Sequence, residues 1–305
     1  MSGHVITDSS RIQSLLAQLA NRSGFGASEV GQFVADIRQA GESALTGHGY
    51  QAMPERFRAL ISRVMDGKTP DVVSALLDLT LVSFIDQFDE RFERAGLPES
   101  LLPYYRENID RMLSRAESGR AWAVSLSQDV FIKDLGIVRM TLIPCASHLI
   151  FRSSGIPRGL LLRQRPLNLL RGLAFVGLRS RGFAPFMENH VHTEMLQHFT
   201  AEGRETCYRL VADLLQIWPE NRGLLGLSWY YDPVVATISP HLAYLRTVPA
   251  EGGALLLPAG TGPDVVRGAT STSSRRRALY EAGQYAPRRY LMAWARRDIL
   301  DRYGR

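Results

Sequence analysis

Cysteine is nearly missing from this chain. Cys145 and Cys207 are the only two in 305 residues, which excludes a disulfide scaffold and a cysteine-based zinc module. Long apolar runs are missing too: the most hydrophobic stretch, Val72 to Ile85, is too short to span a bilayer and carries Asp78. The opening Met1-Ser-Gly-His-Val has no basic segment leading into an apolar one, so no signal peptide and no transmembrane segment are expected, and a cytoplasmic location is the default. No internal repeat is visible, and the residues flanking Ser228 do not form a G-x-S-x-G nucleophile elbow. What is present is ordinary globular composition, 45% hydrophobic and 22% charged, which excludes wholesale disorder. Thirty-six Lys and Arg against 30 Asp and Glu leave +6, a mild excess that favours anionic partners such as phosphates, coenzymes or acidic proteins.

Composition changes near residue 120. Before it, Ile12 to Leu19, Ser28 to Ile37, Glu55 to Met65, Pro70 to Phe92 and Pro103 to Leu113 place apolar residues at three- and four-residue steps, the period of helices. Asp86, Asp89, Glu90 and Glu93 cluster at the end of the fourth; a solvated face mixed with Arg91 and Arg94 explains them better than a metal site. After it, Val130 to Lys133, Ile137 to Ile143, Ser147 to Arg152, Phe186 to Met195, Gly223 to Trp229, Leu255 to Leu257 and Tyr290 to Trp294 read as strands. Thr200 to Trp218 reads as a helix capped by Thr200 and stopped by Pro219, and Arg275 to Ala282 as a shorter one. Gly268 to Arg277 reads as a mobile loop running into that shorter helix. The expected fold is therefore α+β or α/β: a helical region over residues 1–120, then a mixed-sheet α/β domain over residues 121–305.

Four patterns carry chemistry. In Glu188-Asn-His190-Val-His192-Thr-Glu194, strand alternation would put Glu188, His190, His192 and Glu194 on one face. Such a set could bind Zn or Fe(II) through His190, His192 and Glu194, act as a general base, or face water. His198 to Arg204 would present free backbone N–H groups, Gly203 and Arg204 at a helix start, suited to a phosphate or to plain capping. The stretch from Phe151 to Met187 holds Arg152, Arg158, Arg163, Arg165, Arg171, Arg179 and Arg181 with no acidic residue. Interleaved with Leu, Phe and Val, it could meet a coenzyme phosphate, an acidic carrier protein or a lipid surface; its few aromatics argue against nucleic acid. Ser228-Trp-Tyr-Tyr-Asp-Pro233 ends a buried strand, where pockets form in open sheets, so Trp229, Tyr230 and Tyr231 are pocket candidates. His148 and His241 stand alone, and each cysteine reads as an inert thiol.

The strand Met187 to Met195, the helix Thr200 to Trp218, the strand Gly223 to Trp229 and the ending Leu279-Tyr-Glu-Ala-Gly283-Gln-Tyr285 together resemble the GNAT-type N-acyltransferases. In that family a strand with a carboxylate base precedes a helix whose N-terminus holds the coenzyme A pyrophosphate. A splayed strand follows, then a helix bearing a tyrosine that protonates the leaving thiolate. The resemblance implies Glu188 or His190 as base and Tyr280 as acid. The leading expectation is acyl transfer from coenzyme A or an acyl-carrier protein to a small-molecule or peptide amine. In it Glu188, His190 and His192 would serve catalysis, Thr200, Gly203 and Arg204 would hold phosphate, and Trp229, Tyr230 and Tyr231 would border the donor. The alternatives are a metal-dependent enzyme using His190, His192 and Glu188 or Glu194 with Fe(II) or Zn, and a non-enzymatic protein docking through its Arg-rich surface.

Overall fold

The computed structural model describes residues 8–42 and 49–304, and across them the chain divides into two units, Met1–Pro144 with His192–Glu194, and Cys145–Val191 with Met195–Arg305. Met1 to Val5, the segment that bears on an export signal, lies outside the described residues. The first unit extends past residue 120 to Pro144.

The first unit is helical: α1 (Ser9–Ser23), α2 (Ala27–Gly41), α3 (Glu55–Met65), α4 (Pro70–Ile85), α5 (Phe88–Ala95), α6 (Leu102–Ser118) and α7 (Asp129–Val138). Every residue from Val73 to Ile85 is buried, so the apolar run is the central helix of a bundle, hydrophobic all round because it is surrounded. Helices α1, α2, α3, α6 and α7 pack on it. The run expected to continue to Phe92 breaks after Ile85; there Asp86 is held by Arg38 Nη2 at 2.7 Å. Glu90 pairs with Arg94 four residues on, on the solvated face.

One expected strand is absent, and of another, Ile137 to Ile143, only Leu142 and Ile143 are strand, in Leu142–Cys145. Val130 to Lys133 and Ile137 to Val138 belong to α7, buried from Phe131 to Val138. A short helix enclosed on all sides shows no apolar period, and its β-branched residues imitate a strand. Asp129 opens its first turn and pairs with Lys133 at 2.5 Å.

The chain passes from the first unit to the second within the short strand β1 (Leu142–Cys145). The second unit carries β2 (His148–Ser154), β3 (Phe186–His190), β4 (Gly223–Ser228), β5 (Leu255–Gly260) and β6 (Arg289–Ala295), in the spatial order β2-β3-β4-β6-β5. The fold is thus a helical region followed by a mixed sheet with helices. Strand β3 is antiparallel to β2, with Leu149 opposite His190 and Phe151 opposite Glu188. It is parallel to β4 at Met187–Leu224 and Glu188–Leu225 only, whereas β4 pairs with β6 along its whole length. Helix α10 (Ala201–Ile217) joins the two parallel strands, as a parallel pair requires.

Alternation sorts the side chains onto two faces. Phe186, Leu225, Leu291, Ala293, Leu255 and Leu257 share a core with Leu161, Phe175 and Val176, beneath α8 (Arg158–Leu162), α9 (Pro166–Ala174) and a π-helical turn at Phe175–Arg179. On the other face Trp294 packs edge-on to Tyr208 of α10, 5.0 Å between centroids, and to Tyr303 of α15 (Arg296–Tyr303). The remaining helices are α11 (Pro233–Ile238), α12 (Tyr244–Glu251), α13 (Pro263–Thr270) and α14 (Ser274–Glu281). The segment Gly268 to Arg277 does run into the expected helix, α14, where the Ser273 hydroxyl accepts from the Arg276 N–H, but its first residues are the end of α13 and a short turn rather than a loop.

Candidate functional site

The expected four-residue face does not form, because β3 stops at His190. Glu188 and His190 stay with the sheet, while His192 and Glu194 belong to the helical unit. There the Glu194 backbone N–H donates to His192 Nδ1 at 3.2 Å, which leaves the ring proton on Nε2 to donate to Asp134 Oδ1 at 3.0 Å. Asp134 is fully buried and also takes Arg111 and, at 2.8 Å, Arg115 Nη2. Burial would raise its carboxyl, but His192 and the two guanidiniums outweigh that and hold it far below the usual range. Glu194 pairs with the same two arginines. The metal reading of His190, His192 and Glu194 is corrected accordingly: two of its three members are spent on a charge cluster in the other unit. Among the described residues no group of three His, Cys, Asp or Glu is placed to hold an ion.

Glu188 and His190 form the smaller site that remains. Both are partly exposed, with side-chain exposures of 22% and 14% and Glu188 Oε2 lying 3.9 Å from His190 Nε2. The Ser154 hydroxyl donates to the same Oε2 at 2.8 Å. Burial pushes the Glu188 carboxyl above its ordinary value, with the Ser154 bond opposing. Glu188 also sits at the last recorded pair of the parallel strands, opposite Leu225. It is a carboxyl shifted toward neutrality, reachable from solvent and fixed at the point where strand pairing ends, and such a group can accept a proton.

The opposite face of the same strands carries a buried polar network that the sequence did not announce. Arg204, 1% exposed, donates from Nε to Tyr208 Oη at 2.8 Å, from Nη1 to His148 Nδ1 at 2.7 Å and from Nη2 to Tyr231 Oη at 3.0 Å. With the Asn189 amide oriented to satisfy its neighbours, its oxygen accepts from Arg204 Nη2 at 2.7 Å and from Tyr231 Oη at 3.2 Å. A guanidinium has no lone pair to offer, so His148 Nδ1 must accept and Nε2 keeps the proton, directed at Tyr230 Oη 3.3 Å away. Burial first, then the Arg204 charge, hold His148 well below the ordinary imidazole value, hence neutral. Gly226 leaves room for this network: a Cβ there would collide with Tyr231 Oη.

These contacts settle where the expected phosphate corner lies. Thr200 Oγ1 accepts from the Gly203 N–H at 3.1 Å, an N-cap. Gly203 is packed so closely that a Cβ would meet the His198 carbonyl. Arg204 points inward, and its burial removes it from contact with a surface anion. Trp229 lies 4.6 Å beneath the buried Arg276 guanidinium, and Tyr230 and Tyr231 are buried in the network rather than lining a rim. Tyr280 is 42% exposed and borders a cavity of about 880 Å3 with Thr261, Val266, Arg267, Arg277 and Arg288; Glu188 is not part of its lining. Cys145 and Cys207 are buried free thiols, both pushed up by burial. The signal for the missed network was the inward stripe of α10, where Arg204, Tyr208, Val211 and Leu215 fall at helical spacing.

A scan against protein-family models finds no match, and neither does a search of curated proteins. Among solved structures, an acyltransferase in complex with decanoyl-CoA and teicoplanin is similar over 91% of this chain and 99% of its own, at 11% identity and a TM-score of 0.45. A likeness of that degree leaves the chemistry of this chain to its own residues.

Proposed function

We propose that the chain transfers an acyl group from a thioester of coenzyme A or an acyl-carrier protein to an amine, with Glu188 as general base. The observation that carries this reading is the Glu188 carboxyl, raised by burial, held by Ser154 and placed where the parallel strands cease to pair. An amine attacks only after losing its ammonium proton, and a carboxylate whose affinity for protons has been raised is the better acceptor. Glu188 takes that proton, the amine nitrogen bonds to the thioester carbon, the C–S bond breaks, and the second proton, released from nitrogen as the amide forms, passes through solvent to the departing thiolate. His190 lies 3.9 Å from the carboxylate. Backbone N–H groups of β4 toward Trp229 would polarise the carbonyl. The donor's phosphates we assign to Arg267, Arg277 and Arg288 around the Tyr280 cavity, the exposed guanidiniums that Arg204 cannot replace.

The test is thiol release from acyl-CoAs of graded chain length, offered with a mixture of primary amines. Glu188→Gln keeps the Ser154 bond and the side-chain shape, so it should fold as the wild type does while losing roughly 10²–10⁴-fold in kcat/KM. The rate should rise with pH through the raised Glu188 value, and the variant should lose that limb. No thiol release from any donor would end the acyl-transfer reading; release undiminished in Glu188→Gln would end the role of Glu188.

A further inference from the structure

We infer that the segment from Arg158 to Arg181 docks on an anionic lipid surface. Its inner side is accounted for: Leu161, Phe175 and Val176 are buried against the sheet with Leu255 and Leu257. Its outer side is not. Leu162, Leu167, Leu170, Leu173 and Leu178 are 75%, 69%, 64%, 49% and 78% exposed, five of the eleven large apolar side chains that stand open to solvent among the described residues. Scattered single leucines on a surface need no explanation, but five within one short segment mark a contact face.

Charge identifies what that face meets. Arg158, Arg163, Arg165, Arg171, Arg179 and Arg181 lie among these leucines, and no Asp or Glu occurs from Phe151 to Met187. Arg179 pairs with Asp298 and Arg158 lies over the Phe183 ring. Among the described residues Arg163, Arg165, Arg171 and Arg181 have no carboxylate partner, the ion pairs of this stretch being those of Arg152 and Arg179. An acidic protein would answer the guanidiniums and leave the leucines wet. A leaflet with anionic headgroups answers both, because arginine stems reach up to phosphates while leucines enter the acyl boundary. No helix among the described residues is long and apolar enough to cross a membrane, and α8 and α9, broken at Arg163–Arg165, are suited to lying flat.

The experiment is co-sedimentation of the full chain with phosphatidylcholine vesicles and with vesicles to which phosphatidylserine is added. The wild type should pellet with the second and lose binding as salt rises. Replacing Leu167, Leu170 and Leu178 together by Ser should weaken partition at least tenfold with the melting temperature unchanged, since all three already face water. Arg163→Gln with Arg171→Gln should cost about five-fold per residue. The readout is binding and not turnover, so it stands or falls apart from the acyl-transfer reading. Absence of pelleting at low salt, equal binding to both vesicle types, or leucine variants that bind like the wild type would each overturn the inference. So would capture of an acidic carrier protein that depends on the arginines while vesicles are ignored.

Discussion

At the scale of single residues, the most informative is Arg204, a permanently charged group in the interior whose recorded hydrogen bonds all go to neutral partners. Its charge is solvated by two phenols, an amide and an imidazole rather than by a carboxylate, so the network stands only while the guanidinium stays. Arg204→Met should take the guanidinium donors from Tyr208 Oη, Tyr231 Oη, His148 Nδ1 and the Asn189 oxygen, leaving His148 Nδ1 only the Ser147 hydroxyl and the Asn189 oxygen only Tyr231, at a cost of roughly 2–5 kcal/mol in urea unfolding. Arg204→Lys should recover only part of that, because an ammonium cannot fork to three acceptors. Arg209 on the same helix is exposed and pairs loosely with Glu205 at 3.6 Å, so Arg209→Met should stay within about 0.5 kcal/mol of the wild type. Equal effects at positions 204 and 209 would mean that the buried network contributes nothing to stability.

At the scale of elements, what the sequence disclosed depended on how one-sided each element is. Helices α1, α2, α3 and α6 and strands β4 and β6 bury one face or sit between full neighbours, and their apolar spacing reveals them. Helix α7, enclosed on all sides, reads as one strand and the start of a second, whose end alone, Leu142–Ile143, is strand. Strand β3 ends two residues before His192, and alternation alone cannot say where a strand stops. That misplaced end merged two unrelated clusters, the Glu188–His190 pair and the Asp134–His192–Arg111 group, into one supposed site. The α10 N-terminus shows the same limit: Thr200, Gly203 and Arg204 have the composition of a phosphate corner, yet tight packing beneath Gly203 makes it a structural turn. Gly203→Ala should therefore destabilise by about 1–3 kcal/mol, since a backbone carbonyl, not a flexible side chain, lies where the Cβ would go. Gly31 in α2 has nothing within 4 Å of such a Cβ, and Gly31→Ala should stabilise by ~0.5–1 kcal/mol. Melting the two variants side by side checks this, and a stabilised Gly203→Ala would show that the α10 corner is loose enough to admit a ligand.

At the scale of the whole molecule, stability against pH is set by buried groups that pull in opposite directions. His148, kept neutral in the fold, lets the unfolded chain bind more protons below its ordinary value, so stability falls as pH drops through about 6.5. Asp78 does the reverse. Buried in α4, with Trp122 Nε1 donating to it at 2.8 Å, its carboxyl is pushed up to about 6 by burial, against the opposing Arg115 and Trp122. The folded chain therefore binds that proton more tightly than the unfolded one. Above pH 6 the fold must carry an unwelcome charge, and below about 3.8 the difference is gone. Asp78→Asn keeps the acceptor for Trp122 and removes the charge. It should raise the unfolding free energy by about 2–3 kcal/mol at pH 8, by less at pH 5, and by almost nothing near pH 3.5, so that the variant loses stability more steeply on acidification than the wild type. Urea titrations at the three pH values decide it. A gain that is the same at pH 8 and pH 3.5 would assign the effect to packing, and a loss at pH 8 would mean that the Asp78 carboxylate is needed to neutralise Arg115, which stacks 3.4 Å from the Trp122 ring.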